Sequence, residues 1–244
     1  MSAGERYLAA VGGILEDIAA DEWPSIRAAA ETVADTIAGD GLVHVFGTGH
    51  SHMLAEEMFY RAGGLAAVNP ILIQGLMLHA GAENSTRLER QHGLAGRIFG
   101  DVPLKPGDTF IVASNSGGNA VCEELARLAG EAGASVVAIV SSRHAEHSAT
   151  ERDGSRLADL ADVVIDNHGD IGDAGVDVDG LDRKVGPTST VAGAAIVNAV
   201  VAEAVEILIA RGMEVDVFTS SNLPEGDAAN SELVARYRDR VRAL

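Results

Sequence analysis

Five short apolar stretches, rich in Val, Ile or Phe, punctuate the chain at residues 42–46, 65–68, 109–113, 135–140 and 162–166, and helical patterns separate most of them. Strands this short and mostly apolar read as strands buried on both sides. Strand–helix alternation achieves that burial by wrapping helices over a parallel sheet. The expected fold class is therefore α/β, with a five-stranded parallel sheet covered on both faces. Aromatic residues make up only 4% of the 244 positions while glycine occupies 28, a composition suited to close helix-on-sheet packing rather than to an aromatic β-sandwich.

Around this frame, residues 2–20 and 24–38 read as two helices parted by Asp21-Glu22-Trp23-Pro24, with Pro24 near a helix start. The long connection from 69 to 108 is expected to carry helix and a functional loop. Residues 167–187 read as a Gly/Asp-rich loop, and 188–212 as a helix apolar nearly all round, hence fully buried or set in a subunit interface. An amphipathic helix is expected within 227–244, with Arg236, Arg238, Arg240 and Arg242 forming a basic strip. No internal repeat interrupts the pattern, and the chain is expected to form one domain over 1–244 with its core at about 25–212.

The formal charge of −18 excludes a nucleic-acid partner, whose phosphates such a surface repels. No uninterrupted apolar run reaches the roughly eighteen residues of a membrane span, and the most apolar region is broken by Asn198, Glu203 and Glu206. MSAGERYLAA lacks the order of a signal peptide, and the single Cys122 excludes an internal disulfide. A cytoplasmic protein with no membrane partner is expected. With only Lys105 and Lys184 as lysines, an anionic ligand would have to be held by neutral donors. Backbone N–H groups at a helix N-terminus are donors of that kind.

In an open parallel sheet, ligands sit beyond the carboxyl ends of the strands. Two loops there are built for close approach: Gly47-Thr48-Gly49-His50-Ser51 after the first strand, and Ser114-Asn115-Ser116-Gly117-Gly118-Asn119 after the third. Glycines admit a ligand to the backbone, and hydroxyls and amides add donors around it. His52 breaks the G-x-G-x-x-G spacing and no P-loop pattern occurs, so dinucleotide and nucleoside-triphosphate binding are disfavoured. No closed set of metal ligands emerges from His50-x-His52, His79 with Glu83, or His144-x-x-His147, and no cofactor or metal is expected.

These two loops, their spacing and the later GPTSTVAGAAIVNAVVAEAVEIL resemble the sugar isomerase (SIS) domain family of phosphosugar-binding proteins over about residues 25–212. The resemblance implies a three-layer α-β-α sandwich of flavodoxin-like or Rossmann-like type, assembled as a homodimer or homotetramer. It implies that Ser114, Ser116 and Asn119 grip a phosphate, with Asn115 and Gly117 in the same loop. Gly47, Thr48, Gly49, Ser51, Thr188 and Ser189 would lie nearby. Within the family, HAGAENSTRLE resembles the N-acetylmuramic acid 6-phosphate etherases, which would make Glu83 a proton shuttle, and GTGHSHMLAEE resembles phosphoheptose isomerases. A less characterised branch of sugar isomerase proteins is matched more closely than either.

Aldose–ketose isomerisation and β-elimination of a C3 ether both begin with ring opening and removal of the C2 proton. Glu83 is the expected base, and His50 and His52 are expected to protonate the ring oxygen or orient that base. The resemblance to the etherases puts Arg61 at their second catalytic glutamate by ungapped counting, with Glu56 and Glu57 close by. The expected activity is a phosphosugar isomerase. An etherase-like lyase and a non-catalytic phosphosugar sensor remain open as alternatives.

Overall fold

The computed structural model describes residues 1–149, 156–224 and 226–244, with side chains through His147 in the first of these segments. Helix α1 (Ala3–Asp21) opens with a capping box in which the Ser2 hydroxyl accepts from the Glu5 N–H and the Glu5 carboxylate accepts from the Ser2 N–H. Helix α2 (Trp23–Ala38) follows at once, with proline in its first turn where a missing N–H costs nothing. The chain then alternates through β1 (Val43–Gly47), α3 (His52–Met58), β2 (Val68–Pro70), α4 (Ala82–Glu89), α5 (Leu94–Phe99) and β3 (Thr109–Ala113). It continues through α6 (Ala120–Glu131), β4 (Ser135–Val140), α7 (Ser142–Ala149), β5 (Val163–Asp166), β6 (Ala174–Val176) and β7 (Val185–Pro187), ending with α8 (Ser189–Ala210) and α9 (Gly226–Tyr237).

The five long-range strands pair in the order β2-β1-β3-β4-β5, all parallel. Registers such as Val45↔Ile111, Ile111↔Val137 and Val137↔Val163 align the alternation across the sheet. Val43, Val45, Ile111, Ala113, Val137 and Ile139 therefore face one layer, built by α2, α3 and α8. Phe46, Phe110, Val112, Val136, Ala138 and Val140 face the other, built by α5 and α6. The expected three-layer sandwich is the observed one.

Two local expectations differ. The second strand is Val68–Pro70, not 65–68, and Leu65 makes only an isolated antiparallel bridge to Val217. Pro70 ends an edge strand, where a residue without an N–H breaks no inner ladder. The segment 167–187 is not all loop, because β6 and β7 pair as an antiparallel ribbon. Of the two expectations for α8, full burial within the chain is not met: it buries Ala192, Ile196, Val200 and Leu208 and leaves Val191 41% and Ile209 58% exposed. It is long and apolar enough to cross a membrane, yet its buried side packs on α2 within this domain. Beyond it, Phe218, Tyr237 and Val241 fold back over Leu42, Ala66 and Ala67. Arginines of the C-terminal strip anchor this return: Arg236 pairs with Asp216 at 2.6 Å and Arg240 with Asp40 at 2.8 Å.

Candidate functional site

From β1 the chain turns toward β2 on one side of the sheet, and from β3 toward β4 on the other. Their carboxyl ends thus border the crevice where connections diverge, the usual ligand position in such sheets. Gly47 closes β1 because the loop folds back onto it: a Cβ there would stand 2.5 Å from the Ser51 carbonyl carbon and oxygen. The β3 loop turns through Gly117 at φ +60°, whose N–H donates to the Ser114 carbonyl at 3.0 Å. That turn brings Asn119 to the start of α6 in extended backbone with no side-chain cap, so the helix's first N–H groups are left without one.

A cavity of about 10 Å³ lies between these loops, bordered by His50, Ser51, Ser114, Asn115, Asn167 and Ser189, with Leu54, Ala113, Ile139 and Thr190 completing its wall. Among the described residues, no lysine, arginine or carboxylate lines it. Its donors are hydroxyls, amides and one imidazole. Ser114 is 4% exposed, and its hydroxyl has no hydrogen-bond partner among the described residues. Below it sits Cys122, fully enclosed. Burial pushes that thiol up to about 12, against the smaller pull of the Thr48 and Ser114 hydroxyls. A thiol hydrogen-bonds too weakly to satisfy a buried hydroxyl.

The expected site residues divide. Ser51, Ser114, Asn115, Ser189 and His50 meet at the cavity. Gly49 takes φ +56° in the β1 loop, and Ser116 stands half-buried in the β3 loop. Thr48 turns away, donating its hydroxyl to Glu89 of α4 at 2.9 Å. Thr188 and Ser189 serve the Asp173 carboxylate, which accepts from the Ser189 N–H at 2.8 Å, the Ser189 hydroxyl at 2.6 Å and the Thr188 N–H at 3.1 Å. His52 is 7% exposed and does not line the cavity. Its Nδ1 bonds the Gly49 carbonyl, and its ring stands edge-on to His79 at 6.0 Å.

Glu83 lies on the first turn of α4 rather than in a loop, is exposed, and does not border the cavity. Buried Ser85, whose hydroxyl donates to the Leu76 carbonyl at 2.8 Å, anchors that turn. Glu57 accepts from Asn198 at 2.7 Å and pairs with Arg61, while Glu56 stands 3.6 Å from His52 Nε2. Among the described residues no three His, Cys, Asp or Glu side chains converge as a metal site.

Sequence reasoning missed Asn167 and Asp173. Asn167 is buried, donates to the Asn115 side chain at 2.9 Å and accepts from the Gly169 N–H at 2.9 Å, which ties the β5 loop to the β3 loop. Its place directly after β5, at a third strand's carboxyl end, was the available signal. Nothing local marks Asp173, whose partners lie across the β6–β7 ribbon.

A family model described as "SIS domain" matches residues 6–141. A UPF0309 protein of Listeria monocytogenes serotype 4b is 42% identical over 240 residues, covering 98% of this chain and 97% of the relative. A UPF0309 protein of Brucella anthropi is 45% identical over 212 residues, covering 87% and 86% respectively. Among solved structures, a phosphoheptose isomerase from Francisella tularensis superposes with a TM-score of 0.56 at 14% identity, covering 84% of this chain and 98% of that one. Such a likeness shows a shared fold.

Proposed function

Because the chain belongs to the SIS domain family, we propose that the crevice beyond β1 and β3 binds the phosphate of a phosphorylated sugar or amino sugar. The observation carrying this reading is the Ser114 hydroxyl, buried without a partner among the described residues at the wall of a cavity whose other described polar groups are neutral donors. A phosphate oxygen is the acceptor such a hydroxyl lacks, and hydrogen bonds to an ionised oxygen are the strong ones. In a chain carrying −18 formal charge, neutral donors capture an anion at short range, where long-range attraction is absent.

On this reading the reaction is aldose–ketose isomerisation. A base takes the C2 proton of the open-chain aldose, leaving an enediol, and the proton is returned at C1 as the C2 hydroxyl becomes the ketone. His50 is the titratable side chain at the cavity wall and is assigned the proton transfer. Glu83 is assigned the second acid/base role: its helix α4 packs against the Gly49–Ser51 turn. Exposed Leu8, Val185 and Val191, at 70%, 40% and 41%, favour burial against a second copy, in a homodimer or homotetramer. One observation favours a second reading, a non-catalytic phosphosugar sensor: among the described residues, no carboxylate lines the cavity.

A thermal-shift screen against sugar phosphates, followed by solvent deuterium exchange at C2 of each stabilising sugar, tests both. Wild type should exchange; His50→Gln and Glu83→Gln should bind and exchange poorly. Unchanged exchange in both variants refutes the assigned roles, and binding without exchange in wild type establishes the sensor.

A further inference from the structure

The cavity has the chemistry of an anion site but lacks the room. Its volume of about 10 Å³ holds at most one water. The donors at the start of α8 are not free to greet a ligand either, since the Asp173 carboxylate already takes the Ser189 N–H and hydroxyl and the Thr188 N–H. Asp173 does so from left-handed backbone at φ +62°, a conformation uncommon for residues other than glycine. The same segment is pinned to the β3 loop by the Asn167–Asn115 bond and to β4 by the Ser141 hydroxyl, which donates to the Gly169 carbonyl at 2.6 Å. A protein carboxylate that does not itself border the cavity thus occupies the donors of Ser189, a residue of the cavity wall that also holds the buried Ser114 hydroxyl, which has no partner among the described residues.

We propose that Asp173 is a specificity-determining latch: its carboxylate holds the Thr188 and Ser189 donors until a phosphate takes them over. This rests on the phosphosugar reading of the same cavity. A phosphate in the cavity and a carboxylate on the adjoining donors repel each other, so entry of one releases the other. Release lets the 167–173 segment move outward and gives the phosphate both the α8 donors and the Ser114 hydroxyl. A carboxylate ligand brings two oxygens and one negative charge to donors that a protein carboxylate already satisfies, whereas a phosphate ester brings three oxygens and a higher charge with which to span the Ser189 and Ser114 donors. The latch therefore selects phosphate esters over sugar acids.

Calorimetric titration with inorganic phosphate, and thermal unfolding with and without acetate, test this on the full chain. Asp173→Ala should unfold at lower temperature, regain part of the loss in acetate, and bind phosphate about tenfold more tightly than wild type. Acetate should leave wild type unchanged. Asp173→Asn, which keeps an acceptor oxygen without the charge, should fold and show a smaller tightening in the same direction. Phosphate affinity equal to or weaker than wild type in both variants, with no acetate rescue, overturns the latch and leaves Asp173 a helix cap. Failure of the underlying reading looks different: adding Ser114→Ala to Asp173→Ala would leave phosphate binding intact. Absence of phosphate binding in every variant overturns both.

Discussion

Replacing Ser114 by alanine should move stability and affinity in opposite directions. The hydroxyl is enclosed and has no partner among the described residues, so the native state carries up to the penalty of a buried polar group left unsatisfied, about 1–3 kcal/mol. Alanine removes that penalty and forfeits only the few contacts of one oxygen atom. The net expectation is a gain of about 1 kcal/mol, which for a chain of this size raises Tm by about 2–4 °C. The phosphate-bound state responds the other way. There the hydroxyl donates to an ionised oxygen, a bond worth about 1.5–3 kcal/mol, so alanine should weaken phosphate binding by about ten- to a hundredfold. Urea titration without ligand measures the first quantity and calorimetry with inorganic phosphate the second. A structural serine loses stability on truncation, and an idle one leaves affinity unchanged; either result refutes the reasoning. Gain and loss together are what a binding group held ready and unsatisfied produces.

Three further outcomes follow from the same geometry. Gly47→Ala places a Cβ 2.5 Å from Ser51 backbone atoms and should cost about 1–3 kcal/mol in urea unfolding while displacing the β1 loop; a neutral substitution would show that the loop is free to shift. His44, fully buried between Asp108 at 3.0 Å and Asn69 at 2.9 Å, has its pKa lowered chiefly by burial, with Asp108 opposing. The unfolded chain then takes up a proton that the folded chain refuses, so stability present above the ordinary histidine value of 6.5 is lost as pH falls below it. His44→Gln should flatten that acid limb by up to one proton, about 1.4 kcal/mol per pH unit, and an identical limb in both proteins refutes the assignment. Cys122, enclosed and pushed up to about 12, should react with maleimide only as fast as the chain unfolds, so labelling at the rate of a free thiol contradicts its burial.

Elements whose burial is continuous were legible in order and place. The stretches 109–113 and 135–140 are strands with the expected bounds, because an unbroken apolar run between turn residues has few other ways to be buried. The β1 and β3 loops were legible as candidates because glycine and hydroxyl clusters at strand ends are a local signal, and five of the expected residues border one cavity. Glu83 and His52 were not placed by such signals. Which way each faces depends on the Ser85 anchor under α4 and on the Gly49 carbonyl beside the imidazole.

The chain alone, through its alternation of apolar runs and helical periods, determined the layers, the parallel sheet and the strand ends where the candidate loops lie, since these follow from spacings within a few residues. Only the tertiary structure decided which polar groups remain unpartnered. Thr48 is taken by Glu89, 41 residues away, Ser189 by Asp173, 16 away, and Asn115 by Asn167, 52 away, while Ser114 is left over. Hydrogen-bond satisfaction is a property of the assembled neighbourhood, and no local pattern in the chain encodes a leftover donor.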